Sequence, residues 1–221
     1  MENKEKILTF DCYGTLLNTR PLYDYVRKIA EKNSISPDKA ENIFSAYEDR
    51  LMYGEEFIPY DKLFGQILTY CDMELNTNVF APESNNIIEV HKSFLPFDDV
   101  MPSLKYFKEK GYKLCLMSNS THEIMGWHME KFEHIFDDFL VAEDTKCYKP
   151  SLNFFRIAEE KFGLKQKQHC HIAKGYWWDI VPSSKLGWNK IWVNRNNFLC
   201  GRENEKPYLT VKSLNELKNI F

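Results

Sequence analysis

The chain has 221 residues, of which 43% are hydrophobic and 15% aromatic, so it can bury a full core and is not expected to be disordered. Its 29 Lys and Arg residues nearly balance its 32 Asp and Glu residues. A chain with this balance carries no basic surface of the kind that binds nucleic acid or an anionic membrane. The composition therefore favours chemistry on a small molecule and argues against nucleic-acid and membrane partners.

The amino-terminal residues and the cysteines indicate the compartment. Residues 1–6 are charged and lead directly into a strand-like run, without the apolar segment and cleavage site of a signal peptide. No segment approaches the roughly 20 apolar residues of a membrane span. The six cysteines show no C-x-x-C pair, which predicts buried thiols rather than a metal site. We therefore expect a cytoplasmic protein.

The first predicted element is a strand, because the apolar run at residues 7–10 leads into Asp11 and a turn that contains Gly14. Strand alternation places Cys12 on the face opposite to Asp11, which argues against a thiol nucleophile. Helical periodicity then replaces the strand pattern, and Ser36 before Pro37 is typical of a helix start. The predicted helices lie at 21–30, 37–53, 60–71 and 84–93.

From residue 95 onward, strand and helix signals alternate. The predicted strands lie at 112–117, 139–142, 170–173 and 190–193, and the predicted helices at 100–111, 124–132, 150–162 and 180–186. This alternation indicates a parallel sheet with right-handed crossovers. We expect an α/β fold in which residues 1–18 and 95–221 form a doubly wound, Rossmann-like parallel sheet core. Residues 19–94 form an inserted helical cap, which can exclude water from a crevice at the strand ends.

Four polar segments follow predicted strands in the core. Asp11 ends the first strand at the sheet edge where α/β folds form their ligand crevice, although an Asp there can also cap a helix. Ser118 and Asn119 follow the second strand, and either residue is also an ordinary helix cap. Lys149 precedes Pro150, and Asp179 follows the strand at 170–173. A single lysine on its own is more often a solvated surface residue.

Together and in this order, the four segments resemble the haloacid dehalogenase superfamily, specifically its L-2-haloacid dehalogenase-like (type II) branch. The resemblance extends through residues 185–195 and so covers the whole core, whereas the cap matches only in its helical character. It implies that Asp11 displaces a leaving group from carbon 2 of a small carboxylate and forms an aspartyl ester. Lys149 would keep Asp11 ionised and Asp179 would activate the hydrolytic water. The substrate-binding positions that it implies are Tyr13, Thr15, Ser118, Asn119, Lys174 and Tyr176.

The resemblance also bears on metal dependence. Phosphatases of the superfamily carry a second Asp two residues after the nucleophile and another Asp as a Mg²⁺ ligand, whereas this chain has Tyr13 and Lys174 at those positions. An ammonium group cannot coordinate Mg²⁺. We therefore expect no metal and no cofactor. The alternative enzyme within the superfamily is a Mg²⁺-dependent small-molecule phosphatase. The alternative that is not an enzyme is a catalytically silent binding protein.

Several residues keep more than one interpretation. Lys174 can stand in for the metal as a fixed cation, bind a substrate carboxylate, or pair with Asp179 or another acid. The cap arginine that engages halide in the type II branch is replaced by Tyr47 in an ungapped alignment, with Arg50 one helical turn away. Trp177 and its neighbours are expected to pack against the cap, with a substrate wall as the alternative. His122 and His128 are interpreted as surface or packing residues, and His169 and His171 as parts of the sheet.

Overall fold

A six-stranded parallel sheet forms the centre of the molecule. The computed structural model describes residues 6–54, 56–165, 168–199 and 201–221. The spatial order of the sheet is β5-β4-β1-β6-β7-β8, and each neighbouring pair is parallel. Its strands are β1 (Lys6–Asp11), β4 (Tyr112–Ser118), β5 (Asp138–Val141), β6 (His169–Ala173), β7 (Lys190–Val193) and β8 (Leu209–Val211).

Strand β1 lies in the middle of this sheet because every residue after Lys6 is apolar or can be buried with a partner. Its residues Ile7 to Asp11 are all buried, as a strand covered on both faces requires. It pairs with β4 on one side and with β6 on the other. The carboxyl ends of β1, β4 and β6 therefore meet at one edge of the sheet.

Helices cover the sheet and form the segment inserted after β1. The inserted segment contains α1 (Arg20–Lys32), α2 (Pro37–Met52), α3 (Tyr60–Leu75) and α4 (Ser84–Val90). Around the sheet lie α5 (Val100–Glu109), α6 (His122–Lys131), α7 (Ala142–Thr145), α8 (Leu152–Phe162) and α9 (Val181–Lys185). The predicted start of α2 is confirmed, because the Ser36 hydroxyl accepts the Lys39 N–H and Pro37 opens the helix. The α/β core with an inserted helical cap is confirmed as well.

Two short strands mark the passage between the helical segment and the sheet. Strand β2 (Leu17–Asn18) pairs antiparallel with β3 (Leu95–Pro96), so the chain leaves the sheet and returns to it at the same place. The Phe97 N–H also bonds to the Leu16 carbonyl at 3.0 Å. This double connection holds the entrance and the exit of the helical segment next to the end of β1.

The remaining sequence predictions concern the last helix and strand of the core, the cysteines and membrane spans. The helix predicted at 180–186 begins one residue later, as α9, and a π-helical turn at Tyr176–Ile180 precedes it. Strand β8 was not predicted, since its sequence is short and half exposed. No disulfide joins the described cysteines, and Cys200 lies outside the described residues. Among the described helices, none has the length and apolarity to cross a membrane.

Candidate active site

A cavity of about 320 Å³ lies at the carboxyl edge of the sheet, beneath the helical segment. The sheet side contributes residues that follow β1, β4 and β6, and the other side comes mainly from α1 and α2. Its size is at the lower end of the range for ligand pockets, so it suits a small substrate. The ionisable side chains that line it are Asp11, Tyr13, Tyr23, Glu48, Asp49, Tyr60, Lys149, Lys174 and Asp179.

The floor of the cavity is an ion cluster of Asp11, Lys149 and Asp179, which are exposed by only 7%, 2% and 1%. The Lys149 ammonium donates to Oδ1 of Asp11 and to Oδ1 of Asp179, each at 2.7 Å, and to the Met117 carbonyl at 3.1 Å. An ammonium has three N–H donors, and here all three have an acceptor. The structure therefore brings together the three residues that the sequence analysis predicted to be catalytic.

The same geometry sets the ionisation of the cluster. Burial raises the pKa of Asp11, and the neighbouring charge of Asp179 adds to that rise. Burial alone would raise the pKa of Asp179 too, but Lys149 and His171 hold it below its usual value. Burial favours the neutral amine of Lys149, yet the two carboxylates raise its pKa above the usual value. One ammonium thus stabilises the ionised forms of two neighbouring carboxylates.

Thr15 connects Asp11 to the loop after β6. Its hydroxyl donates to Oδ2 of Asp11 and accepts the backbone N–H of Lys174 at 2.7 Å. The Thr15 carbonyl in turn accepts two guanidinium N–H bonds from Arg195, which also forms an ion pair with Asp99. Thr15 was predicted to bind substrate, and in the structure its hydroxyl orients the carboxylate of Asp11.

Lys174 extends along the cavity wall over the turn that follows β1. Gly14 has a φ of +74°, and a Cβ at that position would lie 3.3 Å from the Lys174 Cδ and 3.7 Å from its Nζ. Glycine therefore permits both the turn and the close approach of the lysine. Among the described residues, Lys174 forms no ion pair with Asp179 or with any other acid. Its ammonium is thus available to a ligand.

A π-helical turn places Asp179 beside Lys149. The N–H groups of Asp179 and Ile180 both donate to the Gly175 carbonyl, at 2.8 and 3.2 Å. A Cβ on Gly175 would collide with Oδ2 of Asp179, so only glycine fits where the turn brings the carboxylate back over the chain. Widened turns of this type are frequent at functional sites.

The two polar residues after β4 have different surroundings. The Asn119 side chain accepts the Lys149 N–H at 2.7 Å and donates to the Lys149 carbonyl at 3.1 Å, so it fixes the backbone of the lysine from the cavity wall. Ser118 is buried beside the Cys12 thiol and is not among the described residues that line the cavity. The prediction that Ser118 contacts the substrate thus has no geometric counterpart in this structure, because the side chain lies on the covered side of β4.

The two predicted tyrosine positions also differ. Tyr13 lines the cavity, and its hydroxyl lies 3.0 Å from Ser120 Oγ and 3.3 Å from Nε2 of the buried His128. Tyr176 turns away from the cavity, where its ring packs on Trp192 and its hydroxyl accepts the Arg202 N–H at 2.6 Å. A substrate in this cavity would not reach Tyr176, because the π-helical turn directs that side chain toward β7.

The remaining aromatic residues of the turn contact the helical segment. Trp178 stacks on Tyr53, with ring centroids 5.1 Å apart and an interplanar angle of 7°, and Trp177 meets the same ring edge-on. Trp178 also lines the cavity. The packing interpretation and the wall interpretation therefore both hold for Trp178.

The face that α2 presents to the cavity carries acids and no base. Ser45, Glu48, Asp49 and Met52 line the cavity at the spacing of one helix face. Tyr47 instead stacks on Tyr70 at 4.5 Å. Arg50 lies over the Tyr47 ring in a separate surface groove, so neither Tyr47 nor Arg50 replaces the halide-binding arginine of the type II branch.

The structure adds two residues that the sequence analysis did not select. His171 is fully buried, with Nε2 3.2 Å from Oδ1 of Asp179 and Nδ1 2.9 Å from the Thr9 hydroxyl. Because a carboxylate only accepts, Nε2 of His171 is the donor in the contact with Asp179. Glu48 accepts the Tyr23 hydroxyl at 3.0 Å, and burial raises the pKa of Glu48 to about 7. Residues 45, 48, 49 and 52 share one face of α2, next to the buried Phe44. A polar residue on that face was the sequence feature that could have indicated Glu48.

No group of three or more His, Cys, Asp or Glu side chains in the described part of the chain has the geometry of a metal site. At the position where the superfamily's metal ligand would stand, the Lys174 stem occupies the space over Gly14. Oδ1 of Asp11 already accepts an ammonium from Lys149. The donor set of this cavity therefore does not fit Mg²⁺.

Comparison with known proteins agrees with this geometry. Haloacetate dehalogenase H-2 of Moraxella sp. (strain B) is 21% identical over 99% of this chain and 98% of its own length. (S)-2-haloacid dehalogenase 4A of Burkholderia cepacia is 22% identical over 88% of this chain and 85% of its own length. Glyceraldehyde 3-phosphate phosphatase of Methanothermobacter thermautotrophicus is 26% identical over 97% of both chains.

Solved structures show the same fold. An L-2-haloacid dehalogenase superposes with a TM-score of 0.84 at 18% identity, over 99% of each chain. L-2-haloacid dehalogenase from Xanthobacter autotrophicus with chloropropionic acid covalently bound superposes with a TM-score of 0.77 at 13% identity, over 98% of each chain. The family model of haloacid dehalogenase-like hydrolases matches residues 5–181, which is most of the chain. The chain therefore belongs to the haloacid dehalogenase-like hydrolases.

Proposed function

We propose that this hydrolase acts without a metal on a small 2-substituted carboxylate, through an ester formed on Asp11. The observation that carries the proposal is the Lys149 ammonium, which bridges Asp11 and Asp179 at 2.7 Å each. It keeps a buried nucleophile ionised and places a second carboxylate beside it. We also propose that residues 1–18 and 95–221 supply this chemistry, and that residues 19–94 act as the cap that closes over it.

In the first step, a carboxylate oxygen of Asp11 attacks carbon 2 of the substrate. A C–O bond forms, the bond from carbon 2 to the leaving group breaks, and the leaving group departs with the electron pair. Thr15 and Lys149 orient Asp11 by hydrogen bonds to its two oxygens. Lys174, the cavity cation that is not already bonded to a carboxylate, binds the carboxylate of the substrate.

In the second step, water hydrolyses the ester. Asp179 takes a proton from the water as the water oxygen attacks the ester carbonyl. When the bond between that carbonyl carbon and the C2 oxygen breaks, Asp179 returns the proton to the C2 oxygen, so the hydroxy acid leaves with its C2–O bond intact. Asp11 is restored as a carboxylate once it releases its proton to solvent. Lys149 stabilises the negative charge that develops on the carbonyl oxygen. His171 fixes Oδ1 of Asp179, which leaves Oδ2 as the oxygen that can receive the proton.

The relatives support this class of reaction. The matched dehalogenases are named for haloacetate and for (S)-2-haloacids, and a solved neighbour holds chloropropionic acid covalently. The alternative of a Mg²⁺-dependent phosphatase has its own support in a matched glyceraldehyde 3-phosphate phosphatase. The cavity disfavours it, because Tyr13 and Lys174 stand where a phosphatase needs acids.

The test measures ester and halide together. The protein is incubated in EDTA with (S)-2-chloropropionate and with bromoacetate, and halide release is followed while intact-mass spectrometry monitors the chain. We expect halide release in EDTA and a substrate adduct on Asp11 that later disappears. The matched control is Asp11→Asn, which keeps the shape of the residue and should form no adduct.

The same samples separate the alternatives. A folded protein that forms no adduct with any 2-halocarboxylate, but hydrolyses 4-nitrophenyl phosphate only when Mg²⁺ is added, is a phosphatase. A folded protein that is inactive on both substrate classes and forms no adduct behaves as a catalytically silent relative would. Either result would overturn the proposed function.

A further inference from the structure

The charges that line the cavity do not balance. Among the described residues, four carboxyl groups face the cavity against two ammonium groups. Lys149 is already bonded to two of these carboxylates, so their cluster carries an excess of negative charge. Lys174 offsets that excess from the sheet side. Nothing described on the cap side offsets Glu48.

Glu48 is half buried in the cavity wall. Its one recorded hydrogen bond is from the Tyr23 hydroxyl to Oε2, and no ion pair joins it to a described Lys or Arg. A carboxylate removed from water is stable as an anion only when a cation or several donors compensate it. The cavity therefore presents an uncompensated acceptor to whatever binds there.

Neither Arg50 nor Lys174 supplies a cation in contact with Glu48. Arg50, two residues along α2, points into a different groove over the Tyr47 ring. Lys174 acts on Glu48 only through space, as a charge that lowers the glutamate pKa. Glu48 and Lys174 thus face the same cavity with opposite charges and without mutual contact, and a ligand with both signs of charge would fit between them.

We propose that Glu48 makes this cavity selective for a zwitterionic substrate, a small 2-substituted carboxylate that also carries an ammonium group. Glu48 binds the ammonium and Lys174 binds the carboxylate, so carbon 2 is presented to Asp11 from the lysine side. Asp49, which lines the same wall and is exposed, adds negative charge to the cap side. The inference rests on the proposed function, since it takes a 2-substituted carboxylate as the reacting part.

The ionisation of Glu48 supports this assignment. The pKa of Glu48 is raised to about 7, because burial and the charge of Asp49 raise it by more than the Tyr23 hydrogen bond and the charge of Lys174 lower it. The hydroxyls of Tyr23 on α1 and Tyr60 on α3 face the same group. A bound ammonium would relieve the cost that burial places on the anion. Selectivity for the zwitterion should therefore increase as pH rises through 7.

The first experiment measures binding to the wild-type protein and needs no turnover. Calorimetry compares 4-aminobutanoate with pentanoate, which differ only in an ammonium group or a methyl group at the same position. We expect 4-aminobutanoate to bind at least about tenfold more tightly, which corresponds to about 1.4 kcal/mol. Equal binding of the two, or tighter binding of pentanoate, would overturn the inference.

The second experiment assigns the preference to Glu48. In Glu48→Gln the ratio of the two dissociation constants should fall to about one, through weaker binding of 4-aminobutanoate and unchanged or tighter binding of pentanoate. The matched control is Asp38→Asn, which removes one negative charge from the exposed start of the same helix and should keep the wild-type ratio. A ratio in Glu48→Gln equal to that of the wild type would show that Glu48 does not bind the ammonium.

Turnover then links the inference to the chemistry. The kcat/KM values for 4-amino-2-chlorobutanoate and 2-chloropentanoate should differ in the same direction as the binding constants, and Glu48→Gln should equalise them. Absence of chloride release from both compounds would contradict the proposed function, while the binding ratio would still decide the role of Glu48. The two proposals therefore fail separately.

Discussion

The two walls of the cavity differ in whether their charged side chains have ionic partners. On the sheet side, Asp11, Lys149 and Asp179 are almost fully buried, and each has a described ionic partner. On the cap side, Glu48 has a tyrosine hydroxyl for a partner and Asp49 is exposed. A wall whose charges are already paired is organised for one reaction, because its donors need no rearrangement during the chemical step.

The unpaired wall is organised for selection. Its charges are completed by the ligand, so the ligand's own charge decides how well it binds. Under the proposed function, this contrast accounts for a chain that forms an ester on Asp11 and yet has no base on the cavity face of α2. Changes on the sheet side should therefore alter the rate of the reaction, whereas changes on the cap side should alter which molecule reacts.

The largest effect is expected from Lys149→Met, which breaks the pairing on the sheet side. Ester formation should slow by about 10²–10³-fold, as for the loss of one preorganised donor in an active site. The variant also leaves Asp11 and Asp179 buried without a cation, so their pKa values rise above those of the unfolded chain. A carboxyl group with a raised pKa costs stability as pH increases through that value, so the loss in Tm should be larger at pH 8 than at pH 5.

A surface lysine provides the control for that variant. Lys161 forms a half-exposed ion pair with Asp138 at 3.3 Å, and Lys161→Met should change the free energy of unfolding by less than about 1 kcal/mol. Rapid-quench measurement of the Asp11 adduct and thermal unfolding at both pH values check the prediction. Equal behaviour of the two variants would contradict the assigned role of Lys149.

The second effect is on the pH profile of ester formation. In the proposed mechanism Asp11 reacts as the carboxylate, and burial raises its pKa above 3.8. As the pH is lowered, the rate should therefore begin to fall while the pH is still above 3.8, and it should then decrease about tenfold for each further pH unit. Thr15→Val should move this acid limb to higher pH, because the Thr15 hydroxyl lowers the Asp11 pKa by donating to the ionised form. A wild-type rate that stays flat down to pH 3.8 would contradict the pKa shift.

The third effect separates the two chemical steps. In His171→Phe the ring still packs on Phe155 and Trp188, but its hydrogen bond to Asp179 is lost. Ester hydrolysis should slow by about 10- to 150-fold, since a hydrogen bond to a charged group is worth about 1.5–3 kcal/mol. Ester formation should be nearly unchanged, so the adduct should accumulate in the steady state.

Two variants test whether the effect of His171→Phe comes from the hydrogen bond. His171→Gln offers a donor of similar reach and should restore part of the hydrolysis rate. His169→Phe replaces the neighbouring histidine of β6, which packs on Trp188 without contact to Asp179, and should leave both steps unchanged. Adduct accumulation in His169→Phe equal to that in His171→Phe would assign the effect to packing in the sheet.

The contrast between the walls also governs what the sequence could predict. The run before Asp11 is apolar and continuous, so its strand, its central place in the sheet and the position of the carboxylate follow from local pattern. Lys149 and Asp179 could be selected only through the resemblance to the haloacid dehalogenase superfamily, because a lysine or an aspartate in such a loop is by itself more often a surface residue. The 2.7 Å hydrogen bond from Lys149 to Asp179 depends on the π-helical turn at Tyr176–Ile180, which no local pattern indicated.

Residues whose role depends on contacts between different helices and strands could not be predicted from local sequence pattern. Alternation in β6 shows that His169 and His171 share a face, but it does not show that the turn returns Asp179 to only one of them. Likewise, the periodicity of α2 defines its faces, and docking of the whole helical segment decides which face meets Asp11. The acids at Glu48 and Asp49 look like ordinary solvated residues until that docking is known.

The smallest predicted effect tests the docking itself, through the Tyr53→Leu variant. Tyr53 ends α2 and stacks on Trp178 of the sheet side, so it joins the two walls without belonging to either charge cluster. Loss of an aromatic pair worth about 0.5–1.5 kcal/mol should raise KM by about threefold, with kcat nearly unchanged, because the cap wall is positioned less firmly while the sheet wall is intact. Tyr70→Leu is the control, since Tyr70 stacks on Tyr47 within the helical segment alone and its loss should leave KM unchanged. If Tyr53→Leu lowered kcat instead, the two walls would be coupled in the chemical step, and the division between a reacting wall and a selecting wall would not hold.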